Sequence, residues 1–197
     1  MTTIVTLALE KDAQQWFEAQ RQAYFPPALN RIPAHLSLFH SLPGTATTGH
    51  VLREAAAAQQ PFAMHMDGVR SMGRGVMYTF VSPDLLGLQK KLAAHFTAFL
   101  IPQDKQPLRP HVVVQNKVEP GEAKLLLAQL QTSFVSRDVQ AEGLLWWEYL
   151  GGPWRLIENF RFIQNTAHDS APDKEKCPGF DHRGTFGHLR GNLRAQG

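Results

Sequence analysis

A short histidine motif occurs twice in this chain, each time at the start of a predicted strand. Pro33 is followed by His35-Leu36-Ser37-Leu38, and Pro110 is followed by His111-Val112-Val113-Val114. Proline favours an extended entry, and the apolar and β-branched residues that follow are typical of strands. Each motif precedes a predicted helix and a pair of strands, so the two halves of the chain share one order of elements. The similarity is structural and is not a formal sequence repeat.

The remaining periodicity alternates strands with helices and predicts an α+β fold. We expect further strands over residues 3–9, 62–72, 75–81, 144–149 and 154–163, and helices over residues 12–24, 48–60, 84–99 and from residue 120 onward. Residues 102–110 are polar and interrupted by proline, which indicates a surface loop and a hinge between the halves. We expect one domain over residues 1–165 and a poorly ordered polar tail over residues 166–197.

Composition excludes several classes of protein. The only cysteine is Cys177, which rules out an intrachain disulfide and a zinc site built on cysteines, and which suits a cytoplasmic location. No segment approaches the roughly 18–20 apolar residues of a membrane helix. The net charge of +3 mildly favours a phosphate-bearing ligand. Cys177, His182 and His188 have loose spacing, so we expect no metal site there, and no obligate protein partner is evident.

Alternation along the two motif strands predicts which side chains share a face. These faces carry His35, Ser37 and Phe39 in the first strand, and His111, Val113 and Gln115 in the second. An imidazole can move a proton near neutral pH, and a nearby hydroxyl can hold a phosphate oxygen. The pattern therefore favours phosphate chemistry. By the same rule His35 and His40 point to opposite faces, so they cannot bind one metal ion.

Both motifs resemble the His-apolar-Thr/Ser-apolar motif of the 2H phosphoesterases, which include the bacterial 2′-5′ RNA ligases. The resemblance covers about residues 1–165. It implies a bilobal fold in which two antiparallel sheets face each other across a central cleft, with helices on the outside. It also implies hydrolysis of a 2′,3′-cyclic or 2′-5′ phosphodiester of RNA or a nucleotide without metal or cofactor, or the reverse ligation. In that case His35 and His111 are the proton-transfer pair and Ser37 binds phosphate.

The second motif departs from the family pattern, because Val113 stands where the family has Thr or Ser. A valine methyl group donates no hydrogen bond, and a charge-assisted contact contributes ~1.5–3 kcal/mol. Such a loss in the transition state slows a reaction roughly 10- to 200-fold. The sequence therefore leaves open a slow enzyme, an enzyme for another substrate, or a non-catalytic RNA or nucleotide binder. A metal hydrolase is a further alternative that the sequence disfavours.

Several other side chains are candidates for substrate binding. Phe39 can stack on a nucleobase or pack in the core, and Gln115 can reach the place of the missing hydroxyl. Tyr24, Arg31 and Arg74 can hold phosphate, but each is equally well a surface or capping residue. Trp154 is expected to be a packing residue near a hairpin.

Overall fold

One long strand, the sixth of seven in the sequence, is central to the sheet. A computed structural model describes residues 1–163 of the chain. Its strands are β1 (Thr2–Leu9), β2 (Ser37–Pro43), β3 (Phe62–Ser71), β4 (Val76–Val81), β5 (His111–Gln115), β6 (Arg137–Tyr149) and β7 (Trp154–Arg161). The strand order is β2-β1-β6-β3-β4-β5, with β7 also paired to β6, and all pairs are antiparallel.

Four helices connect these strands, and local signals explain their ends. They are α1 (Lys11–Tyr24), α2 (Ala46–Ala57), α3 (Pro83–His95) and α4 (Pro120–Ser133), with short 3-10 turns at Pro27–Leu29 and Thr97–Phe99. The hydroxyls of Thr45 and Ser82 accept hydrogen bonds from the first turns of α2 and α3. Proline occupies the first position of α3 and α4, where its missing N–H is not needed.

The first part of β6 pairs with β3 and the second part pairs with β1 and β7. Ala141 is aligned with both Leu9 of β1 and Phe62 of β3, so it lies where the two groups of strands meet. The predicted α+β class with antiparallel strands is confirmed. The two groups of strands expected from the resemblance are joined through β6 into one continuous, open sheet.

The motif strands β2 and β5 are the two ends of this strand order. Helix α1 bridges them: it follows β1, the neighbour of β2, and the guanidinium of its Arg21 donates a hydrogen bond to the carbonyl of Val113 in β5, at 2.9 Å. The apolar face of α1, with Ala13 and Phe17, is buried in the core. Burying the ring of Phe17 stabilises the fold by about 2 kcal/mol, which helps to hold α1 against the sheet.

The structure corrects two predictions, the start of strand β6 and the nature of the segment 102–110. Strand β6 begins at Arg137, seven residues before the predicted start at Leu144. The segment 102–110 is not a free hinge, because Asp104 is only 6% exposed and accepts hydrogen bonds from the backbone of β2. These bonds tie the segment to the first motif strand.

None of the helices within residues 1–163 has the length and apolar character needed to cross a lipid bilayer. Over the same residues, no group of three or more His, Cys, Asp or Glu side chains is placed to hold a metal ion. The predicted tail, the domain boundary at residue 165, and Cys177, His182 and His188 lie outside the described residues.

Candidate active site

The two motif histidines are held by identical hydrogen bonds. The Nδ1 of His35 lies 2.7 Å from the carbonyl oxygen of Pro33, and the Nδ1 of His111 lies 2.7 Å from that of Arg109. Because a carbonyl oxygen only accepts, each Nδ1 carries the proton and donates it. In the neutral form of either ring, the lone pair is therefore on Nε2. Each ring is thus fixed in the tautomer that a proton acceptor at Nε2 requires.

The two motifs contribute crosswise to two cavities, and the two imidazoles line different ones. Ser37 and His111 line the first, of about 410 Å³, which we call the His111 cavity. His35 and Val113 line the second, of about 510 Å³, which we call the His35 cavity. Each imidazole therefore shares a cavity with the residue that lies two positions after the other histidine. The missing hydroxyl of the second motif is consequently a feature of the His35 side.

His35 is kept neutral by its surroundings. Its ring packs against Trp154, with ring centroids 4.6 Å apart. Burial lowers the pKa of His35 to about 4, against the opposing effect of its hydrogen bond to Pro33, and the charges of Arg21, His40 and His111 lower the pKa further. A histidine with this pKa is unprotonated at neutral pH and can accept a proton at Nε2.

A third histidine lies in the His111 cavity. The Nδ1 of His40 donates a 2.7 Å hydrogen bond to the carboxylate of Asp104, and Gln103 lies 3.1 Å from the Nε2 of His40. Asp104 also accepts from the backbone N–H groups of His40 and Ser41. The carboxylate therefore orients the His40 ring within the cavity that contains Ser37 and His111.

Irregularities in both motif strands correct the faces predicted from alternation. Between β1 and β2 the register shifts where Val5 aligns with Phe39 and Thr6 aligns with Ser37, which leaves one extra residue on β2. The extra residue reverses the alternation after Ser37. Phe39 is 0% exposed and packs against Phe96, so the prediction that it contacts substrate is wrong. The same shift places His40 with Ser37 in the His111 cavity, although alternation puts Ser37 and His40 on opposite faces. His35 lines the other cavity.

The second motif strand departs from alternation in the same way. The register between β4 and β5 shifts where Val76 aligns with Gln115 and Met77 aligns with Val113. Gln115 is therefore turned inward, is 3% exposed and donates to Glu122. The prediction that Gln115 takes the place of the missing hydroxyl is wrong, because its side chain does not line either cavity.

Comparison with known proteins identifies the family. The family model of the 2′-5′ RNA ligase superfamily matches residues 9–153, a segment that contains both histidine motifs. The chain belongs to this superfamily. No curated protein matches the sequence.

Solved structures share the fold of this 2′-5′ RNA ligase superfamily member. TT0787 of Thermus thermophilus is 15% identical with a TM-score of 0.55, and the match covers 82% of this chain and 98% of that one. E. coli LigT complexed with 3′-AMP is 15% identical with a TM-score of 0.52, covering 83% and 98%. The resemblance drawn from the motifs is confirmed at the level of family and fold. Membership of the superfamily supports an activity of the phosphoesterase type.

The other predicted substrate-binding residues are divided by the structure. Arg31 lines the His35 cavity together with His35 itself. Tyr24 lines a different cavity that contains no motif residue, so it is not brought to the histidines. Arg74 is occupied at the turn between β3 and β4, where it binds the carbonyl of Val118 and the carboxylate of Glu119. The structure thus brings Arg31, but neither Tyr24 nor Arg74, to a motif histidine, and a substrate contact of Tyr24 or Arg74 stays a prediction.

Sequence reasoning missed several residues that surround the motifs. The spacing of four between Phe17 and Arg21 places Arg21 on the buried face of α1, a signal that lies outside both histidine motifs. Trp154 was expected only to pack, but its ring covers His35. The pairing of His40 with Asp104 joins residues 64 positions apart, and no local pattern announces it.

Proposed function

We propose that this member of the superfamily is a metal-independent phosphodiesterase that cleaves 2′,3′-cyclic or 2′-5′ linkages of RNA or nucleotides. The observation that carries the proposal is the matched pair of histidines, each held through Nδ1 and sharing a cavity with the opposite motif. Two imidazoles in one tautomer, His35 just before β2 and His111 at the start of β5, can supply the acid and the base of concerted chemistry at a phosphate.

In the proposed reaction a water molecule attacks the phosphorus of the cyclic phosphodiester. The Nε2 of neutral His35 takes a proton from the water as the new P–O bond forms. The P–O bond to the ribose oxygen breaks, and His111 in its imidazolium form gives its Nε2 proton to that oxygen. The pKa of about 4 for His35 supports its assignment as the base in the hydrolytic direction. In ligation the two roles are exchanged.

Ser37 is proposed to hold a phosphate oxygen during this reaction. It begins β2 and lines the same cavity as His111, which suits a hydroxyl contact to the phosphate beside the acid. The proposed partner is therefore an RNA end or a nucleotide cyclic phosphate. The cytoplasmic location stays a prediction from the cysteine content.

A second candidate function is that of a nucleotide or RNA binder without turnover. It is favoured by Val113, whose methyl groups line the His35 cavity where the family motif would supply a hydroxyl. Loss of that contact affects the transition state more than the ground state only if the hydroxyl stabilises developing charge. The two functions therefore differ in turnover and not in affinity.

The test offers a nucleoside 2′,3′-cyclic phosphate to the full chain in the presence of a chelator. We expect turnover that His111→Ala reduces by at least about 100-fold, with binding retained, because one proton-transfer group contributes 10²–10⁴-fold. The matched control is His50→Ala on the exposed surface of α2, which should leave turnover unchanged. Binding without turnover in the unaltered chain would establish the binder instead. Activity that the chelator removes would establish a metal hydrolase.

A further inference from the structure

Arg21 is a buried cation whose described partners are all neutral. It is 2% exposed, and its guanidinium packs over the ring of Phe25. It donates through Nε and Nη2 to the amide oxygen of Asn30 and through Nη1 to the carbonyl of Val113. These bonds use three of the five N–H donors of a guanidinium, so two have no partner within residues 1–163.

Glu18 is the carboxylate whose charge acts on the pKa of Arg21, but it forms no ion pair with the guanidinium. Its Oε1 accepts hydrogen bonds from the backbone of Ala34 and the side chain of Gln14, and no ion pair joins it to Arg21 in the described part of the chain. Burial lowers the pKa of Arg21 while Glu18 raises it. A guanidinium stays charged even so, and a buried charge without a counter-ion is costly unless a ligand supplies one.

The cavity beside Arg21 has the composition of an anion site. Arg31 and Lys117 line the His35 cavity together with Arg21, and the described lining includes no Asp or Glu. Lys117 has a φ of 62°, the only positive φ of a non-glycine residue in residues 1–163. Its N–H is bound by the side chain of Asn116, which also lines the cavity. Residues held in this left-handed region cluster at functional sites, which agrees with a binding role for Lys117.

We propose that the His35 cavity binds a second phosphate of the substrate, next to the scissile one, between Arg21, Arg31 and Lys117. The preferred substrate class is then a nucleotide or RNA end that carries at least two phosphates, such as a 5′-phosphorylated 2′,3′-cyclic nucleotide. The placement of the scissile phosphate between the motif histidines rests on the proposed function. The anion site itself rests on Arg21 and the cavity around it.

The experiment measures binding, so it does not depend on turnover. Adenosine 3′,5′-bisphosphate and adenosine 3′-monophosphate are titrated calorimetrically against the full chain at low ionic strength. We expect the bisphosphate to bind at least about 10-fold more tightly, as one charge-assisted contact gives, and salt to narrow the difference. Arg31→Gln and Lys117→Gln should each reduce the ratio about threefold or more. Arg21 is left intact because it also braces α1 against β5.

The matched control is Lys124→Gln, which removes the same charge from an exposed position on α4 and should keep the full ratio. Equal affinities for the two ligands in the unaltered chain would overturn the inference. So would a preference that neither Arg31→Gln nor Lys117→Gln reduces more than the control does. Discrimination without turnover of any cyclic phosphate would refute the proposed function alone. Turnover without discrimination would refute this inference alone.

Discussion

Replacing His35 by glutamine should change how stability depends on pH. Burial lowers the pKa of His35 to about 4 in the fold, from 6.5 for an ordinary histidine. The unfolded chain therefore takes up a proton at this group at a pH where the folded protein does not. The contribution of neutral His35 to the free energy of unfolding is fully present above about pH 6.5 and is lost as the pH falls toward 4. At 1.36 kcal/mol per pKa unit, the loss between pH 7 and 4.5 is about 2 kcal/mol.

The assay is urea unfolding at several pH values between 7 and 4.5, with the free energy of unfolding extrapolated to water. The unaltered chain should lose about 2 kcal/mol more over this interval than His35→Gln, whatever the absolute stability of the variant. His50→Gln, altered at an exposed position of α2, should follow the unaltered chain. Parallel pH slopes for the chain and His35→Gln would show that the imidazole is well hydrated. They would also remove the reason for assigning it as the base.

Three further predictions concern the surroundings of the motifs. Val113→Thr, which adds a hydroxyl to the wall of the His35 cavity, should raise kcat/KM for a 2′,3′-cyclic nucleotide about 10-fold or more. An unchanged kcat/KM in a folded variant would show that a hydroxyl at this position does not stabilise the transition state. Trp154→Ala should hydrate the imidazole of His35 and raise its pKa from about 4 toward 6.5, as followed by an NMR titration; a fixed pKa would mean that the burial comes from elsewhere. Asp104→Ala leaves two backbone N–H groups of β2 without their acceptor and should lower the free energy of unfolding in urea by about 2–4 kcal/mol. A loss below about 1 kcal/mol would contradict the role of this carboxylate.

Local signals in the sequence were sufficient for most of the fold. Proline entries, apolar periodicity and capping hydroxyls act over a few residues, so the motif strands and four helices could be predicted from the chain alone. The early part of β6 was missed because Arg137, Asp138 and Gln140 are exposed there, and only Val139 and Ala141 are buried. Whether such a polar stretch is a strand depends on its neighbour β3, which sequence periodicity does not contain.

The side chains that face the cavities are set by strand pairing, which local sequence patterns do not contain. Alternation holds only along an unbroken strand, and the extra residues after Ser37 and Val113 are set by pairing with β1 and β4. The shifts bury Phe39 and Gln115, which the motif alone places with the histidines. By contrast, Arg21 sits at helical spacing from buried residues, and its position on that face could have been recognised as unusual.

The central position of β6 also bears on how this chain reaches its native state. Strands β1 and β3 are made early, yet both acquire their second hydrogen-bonded neighbour only from residues 137–149. A nascent chain released as far as β5 therefore exposes two strand edges with nothing to cover them, and assembly waits for late synthesis. The two halves of the chain, which share one order of elements, are thus not autonomous folding units. Cutting the gene between them should yield fragments that aggregate separately and regain structure only when they are mixed.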